Sequence, residues 1–146
     1  YYRKNRKELL QLIRKNALIK TRIVLQDEFE NGDRKLLNFG HTLGHAIENL
    51  YGLPHGHAVA IGMNFAARVS EQVTGFSERE RLVKVIRQYK LPASIGIDPA
   101  KTFDVLKMDK KRTRSQVSFV VLERIGKAVV KEIGLADIQQ HLQSTK

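Results

Sequence analysis

The chain of 146 residues contains no cysteine, which excludes disulfides and thiolate-bound metal sites alike. It has no run of 18 or more apolar residues. The longest apolar stretch, 58–67, already includes a glycine and an asparagine, so no membrane span is expected. The opening residues, Tyr1-Tyr2-Arg3-Lys4-Asn5-Arg6-Lys7, have no apolar core behind them and do not read as a signal peptide. These absences are compatible with a cytoplasmic protein, which is the location expected. Aromatic residues are few, at 7%, and acidic residues are outnumbered 15 to 26 by lysine and arginine, for a formal charge of +11. With 42% hydrophobic and 28% charged residues, the composition is that of an ordinary globular protein, long enough for one domain with a hydrophobic core.

The positive charge admits four readings. A basic surface releases counterions from nucleic acid. It can equally be a solvated surface, a site that focuses field on a small multiply anionic substrate, or one side of a longer protein whose remainder carries acid. The cations are spread along the chain, with small clusters at 3–7 and 107–114, and no recognition motif accompanies them. Nucleic acid is therefore not the expected partner.

Hydrophobic periodicity gives a mainly helical chain. Residues 7–19 repeat near 3.6, and the helix is expected to continue to about Leu25. Asn31-Gly32-Asp33 signals a turn, with Asp33 placed to cap a short segment, 34–40. A helix over 41–50 should stop at Gly52 and Pro54. The stretch 55–74 is apolar nearly all round, as in a buried helix, and should end at Gly75. Ser77 and Glu80 form a capping-box pattern ahead of a helix to about Tyr89. Asp98-Pro99 opens a short helix to Lys107. The only strand signal is a hairpin, 116–122 and 128–133, around Gly126. A last helix covers 136–142. The expected architecture is one multi-helix domain with one short β-hairpin near the C-terminus.

The polar residues concentrate between Lys20 and His57. His41, His45 and His55 fall within 15 residues, and His57 follows. His41 and His45 are spaced i, i+4 and share a helical face. Two imidazoles so placed can share a metal, or one can bind metal while the other handles protons. A helix hairpin would bring His55 back against His41. Zinc and similar ions favour imidazole nitrogen. A site normally needs at least three protein ligands; candidates for the third are His45, Glu30, Glu48, His57 or a residue outside the chain. Histidines on an apolar helix are also often plain core or interface residues, and no acid sits between these two as in His-Glu-x-x-His. Gly40 and Gly44, and likewise Gly56 and Gly62, permit close approach of a backbone or ligand. Arg34 and Asn38, one turn before His41, suit oxyanions and hydroxyls. Met63 and Phe65 read as core, Tyr51 as a packing residue and His141 as a surface residue.

The stretch Leu36-Leu37-Asn38-Phe39-Gly40-His41-Thr42-Leu43-Gly44-His45-Ala46-Ile47-Glu48, with His55-Gly56-His57-Ala58-Val59-Ala60-Ile61-Gly62-Met63, closely resembles the signature of 3-dehydroquinate synthases. Lys20, Val24, Asp27-Glu28 and 30–34 resemble the segment before that signature. Asp109-Lys110-Lys111, 118–122 and Ile125-Gly126 are similar to the family's lysine loop and hairpin. The resemblance implies that this is the C-terminal half of an enzyme converting 3-deoxy-D-arabino-heptulosonate 7-phosphate to 3-dehydroquinate and phosphate in the shikimate pathway. It implies a divalent metal, zinc or cobalt, and NAD. His41 and His55 are then metal ligands, the third being a glutamate upstream of this chain. Lys20, Arg34 and Asn38 contact substrate, and so does Lys110 or Lys111. His45 handles protons, and Glu30 is a polar active-site residue. It further implies a full-length homodimer.

Two departures stand out. The family usually has glutamate where His57 stands, and a histidine there could serve by hydrogen bonding to a ligand. No glycine-rich turn after a parallel strand is present, so NAD would be held by an N-terminal domain absent from this chain. The chain also opens inside a helical pattern, so an excised or proteolysed domain, inactive alone, is expected. Two alternatives remain: a related sugar-phosphate cyclase such as 2-deoxy-scyllo-inosose synthase, and a basic helical nucleic-acid-binding or scaffold module.

Overall fold

The computed structural model describes residues 5–109 and 115–144, which fall into two compact units, 1–37 and 38–146. In the first unit, helix α1 spans Arg6–Gln26. Asn5 starts it by accepting a hydrogen bond from the Glu8 amide at 3.2 Å, and the Glu8 carboxylate suits the positive end of the helix. No residue of α1 is buried; Leu25 is 79% exposed and Phe29, just beyond it, 82%. Where the helix ends, the Asp27 carboxylate accepts from the amides of Asn31 (2.9 Å), Gly32 (2.8 Å) and Arg34 (3.0 Å). These bonds, those of Arg34 and Gly32 first, hold its carboxyl below the usual range. Asp33 was the expected cap, yet it lies inside the 3-10 segment Asp33–Asn38. The Asp27 carboxylate instead holds the entry to that segment, reaching the Arg34 amide within it and those of Asn31 and Gly32 just before it.

The second unit is built on a helical hairpin. Helix α2 covers His41–Tyr51 and α3 covers His55–Val73, with Gly52 in the left-handed region and Pro54 between them. Their contact is backbone on backbone. A Cβ added to Gly62 would sit 1.9 Å from the Gly40 carbonyl oxygen, and one on Gly44 would lie 3.1 Å from Val59 Cα. Gly56, by contrast, faces open space, so the close approach expected at both ends of the 56–62 glycine pair occurs only at Gly62.

Around this hairpin lie α4 (Arg79–Gln88), α5 (Pro99–Asp109), strands β1 (Gln116–Arg124) and β2 (Lys127–Gly134), and α6 (Leu135–Gln143). The strands pair antiparallel, Val117 opposite Ile133 and Val121 opposite Val129, and turn through Gly126 at φ +85°. Leu43, Ile47, Phe65, Val69, Leu106, Phe119, Ile138 and Leu142 share one core. Phe65 belongs to that core and Met63 packs on a neighbouring cluster, as expected. Tyr51 also packs on the core, and its hydroxyl accepts from the Asp98 amide at 2.8 Å. Asp98 in turn caps α5, accepting from Ala100 and Lys101.

Ser70 joins α3 to the hairpin: its hydroxyl donates to the Ala66 carbonyl at 2.6 Å and accepts from the Leu122 amide at 2.9 Å. The Arg68 guanidinium donates to the His141 carbonyl at 2.6 Å, closing the end of α6. His141 is not the surface residue expected. It is 7% exposed, against Phe65, because α6 turns its apolar stripe and this ring inward together. The Ser77–Glu80 capping box does not form. Glu78 precedes α4 without a side-chain cap, and its carboxylate instead accepts from the Ile125 amide at the hairpin turn. Among the described residues, no helix is long and apolar enough to cross a membrane.

Candidate functional site

Helix α2 presents His41, His45 and Glu48 at i, i+4 and i+7, two turns along one face. The reversal at Gly52–Pro54 places His55, the first residue of α3, beside that face. The three rings gather: centroids lie 5.4 Å apart for His41–His45, 5.4 Å for His41–His55 and 6.1 Å for His45–His55. This proximity follows from the glycine contact, since a bulkier residue at 40, 44 or 62 would push α2 off α3.

The spacing can be tested against a shared ion. A metal–nitrogen bond of about 2.0–2.1 Å puts a ring centroid about 3.2 Å from the ion, and a tetrahedral angle then sets two centroids about 5.2 Å apart. His41 with His55, or His41 with His45, meets that separation. His45 with His55 is wider. Ring hydrogen bonds point the same way. Nδ1 of His41 faces the Phe39 carbonyl at 3.4 Å, and Nδ1 of His55 lies 2.8 Å from Glu48 Oε2. Each leaves Nε2 as the atom available to an ion. Burial pushes the His41 imidazole below its usual pKa, with the neighbouring His45 and His55 adding to that and the Phe39 carbonyl opposing it. A neutral imidazole is the form that ligates. Among the described residues, no group of three or more histidines and carboxylates is arranged to hold an ion as it stands. The residues present fit two ligands, not a closed set.

The other expected site residues are distributed as follows. Lys20 lies exposed on α1, Glu30 in the turn after it at φ +57°, and Arg34 in the 3-10 segment, where its guanidinium donates to the Glu28 carbonyl. All three belong to the first unit. Asn38 is half-buried at the start of the second. Lys110 and Lys111 lie outside the described residues. His57 stands apart from the three-ring cluster, lining a groove with Ile61, Arg87, Lys90 and Ser94. The bond from Glu48 to His55 was not foreseen, although the i+7 step from His41 marks Glu48 as sharing that face.

Residues 1–112 match the family model for the C-terminal part of 3-dehydroquinate synthase. The chain is 39% identical over 137 residues to the 3-dehydroquinate synthase of Pyrococcus furiosus, a match covering 92% of this chain and 41% of that protein. It is 40% identical over 148 residues to that of Bacillus pumilus, covering 97% and 41%. The chain thus spans about 40% of the length of these relatives. Among solved structures, a 2-epi-5-epi-valiolone synthase from Streptomyces hygroscopicus with NAD+ and Zn2+ bound superposes with a TM-score of 0.78 at 22% identity, over 93% of this chain and 39% of that one. A 2-deoxy-scyllo-inosose synthase complexed with carbaglucose-6-phosphate, NAD+ and Co2+ gives 0.69 at 23%, over 81% and 37%. These two likenesses establish the fold: helical, with one hairpin.

Proposed function

Because the chain belongs to the 3-dehydroquinate synthase C-terminal family, we propose that it forms the helical metal- and substrate-binding part of a phosphorus-oxygen lyase. That enzyme converts 3-deoxy-D-arabino-heptulosonate 7-phosphate to 3-dehydroquinate and phosphate. The observation that carries this reading is the approach of the His41 and His55 rings to 5.4 Å, with both Nδ1 atoms engaged elsewhere. His41 and His55 hold a zinc or cobalt ion through Nε2. When bound, the ion supplies Lewis-acid polarisation of a substrate alcohol, and NAD, held by an N-terminal domain outside this chain, supplies a transient hydride acceptor.

The chain's own side chains do the rest. His45, exposed beside His41, takes and returns protons at the substrate hydroxyls. Lys20, Arg34 and one of Lys110 and Lys111 neutralise the carboxylate and phosphate, and Asn38 orients a hydroxyl. Glu30 serves beside His45 as a polar residue of the active site. In this reading the chain alone is inactive, and the complete enzyme is a cytoplasmic homodimer.

The test uses the enzyme that contains this chain, supplied with NAD, zinc and 3-deoxy-D-arabino-heptulosonate 7-phosphate. Phosphate release is expected, and is expected to disappear in a His41→Ala variant. Release from glucose 6-phosphate in place of the heptulosonate would move the protein to the inosose-forming cyclases. Release unaffected by His41→Ala would remove the metal site from the chemistry.

A further inference from the structure

We propose that Glu48 is a positioning residue, whose carboxylate grips Nδ1–H of His55 and so presents the opposite nitrogen, Nε2, to the ion. The inference deepens the metal reading above and rests on it. His55 is the first residue of α3 and its side chain is 55% exposed, so core packing does not fix its ring. Among the described residues, the one hydrogen bond to that ring comes from Glu48, at 2.8 Å. A carboxylate accepts and has no proton to donate, so the bond places the imidazole hydrogen on Nδ1 and the lone pair on Nε2. A freely turning, solvent-facing imidazole would divide its population among rotamers and two tautomers. The Glu48 bond selects one of each before any ion arrives.

The competing role for Glu48 is that of the missing third ligand. Distance argues against it. Two donor atoms sharing one ion at about 2.0–2.2 Å and a tetrahedral angle stand about 3.4 Å apart. The observed 2.8 Å is a hydrogen bond, shorter than two co-ligands adopt. The carboxylate contacts Nδ1, the ring nitrogen other than the one offered to the ion.

Two measurements on the enzyme that contains this chain decide the matter, with Glu48→Ala, Glu48→Gln and His41→Ala variants. The first is metal-free: nitrogen-15 NMR of the imidazoles. The wild type should show His55 protonated on Nδ1. Glu48→Ala should lose that tautomer, while Glu48→Gln, whose amide oxygen still accepts, should keep much of it. The second is titration with Co2+ alone, read by visible absorption. Glu48→Ala should weaken binding about 10- to 100-fold while leaving the band shape of the bound form unchanged. His55 protonated on Nε2 in the wild type, or a tautomer indifferent to Glu48→Ala, would overturn the proposal. So would a Glu48→Gln band shape altered as in His41→Ala, which marks a lost ligand. If Co2+ fails to bind even the wild-type enzyme, in which the upstream ligand is present, the metal reading fails separately, and the NMR result still judges the Glu48–His55 grip.

Discussion

Gly62→Ala should damage both the fold and the site. The new Cβ would lie 1.9 Å from the Gly40 carbonyl oxygen, 2.9 Å from its carbonyl carbon and 3.0 Å from the Gly44 nitrogen. Ordinary contact needs about 3.4 Å, so α2 must retreat from α3 by about 1.5 Å. Both partners are backbone, and Gly40, at φ +81°, is itself fixed in a conformation that leaves no side chain to yield. Overpacking costs typically about 1–3 kcal/mol, and backbone against backbone belongs at the upper end. Replacing glycine inside a helix returns about 1 kcal/mol of propensity. The expected net loss is therefore about 2 kcal/mol, read as a lower urea midpoint at unchanged slope. Gly56→Ala is the matched control: it lies in the same helix but meets nothing within 4 Å. It should raise stability by about 0.5 kcal/mol. A 1.5 Å shift also moves His41 away from His55, so Co2+ binding should weaken in Gly62→Ala and hold in Gly56→Ala. Equal stability of the two variants would refute the claim that a glycine contact builds the site.

Ser70→Ala removes the acceptor of the buried Leu122 amide and should cost about 1–3 kcal/mol in the same denaturation assay. His141 supplies a pH dependence. Burial, and then the Arg68 cation, push its pKa below the usual value, against a weaker pull from Asp137. The unfolded chain then takes up a proton on this ring before the folded chain does. Stability from this group is complete above the unfolded pKa of about 6.5 and is lost as pH falls from there through the folded value. Denaturation between pH 7 and pH 5 should show a decline that a His141→Gln variant shows less of; parallel profiles would remove His141 from the account.

Much of this fold was legible in hydropathy because helix stops in this chain are chemical. Gly52, Pro54, Gly75 and Asp98-Pro99 punctuate the helices within a residue or two of where they end or begin. The misreadings share a cause: a side chain with a plausible local partner was drawn to a distant one. Glu78, the residue before α4, serves the turn at Ile125, 47 residues on, and caps nothing in its own helix. Asp27, at the end of α1, reaches forward to the Arg34 amide, while Asp33 lies inside the segment it was expected to cap. His141 is buried because α6 packs on α3 through Phe65 and Arg68, contacts more than 70 residues apart that no local period encodes. At the site, the histidine spacing announced a shared face, but the Glu48–His55 bond depends on the hairpin angle set by the glycines.

The most direct test of the central claim is X-ray absorption at the zinc edge on the zinc-loaded enzyme containing this chain. The account predicts two imidazole nitrogens at about 2.0–2.1 Å, with one lost in His41→Ala and one in His55→Ala. A zinc environment that keeps the same imidazole count in both variants would contradict it.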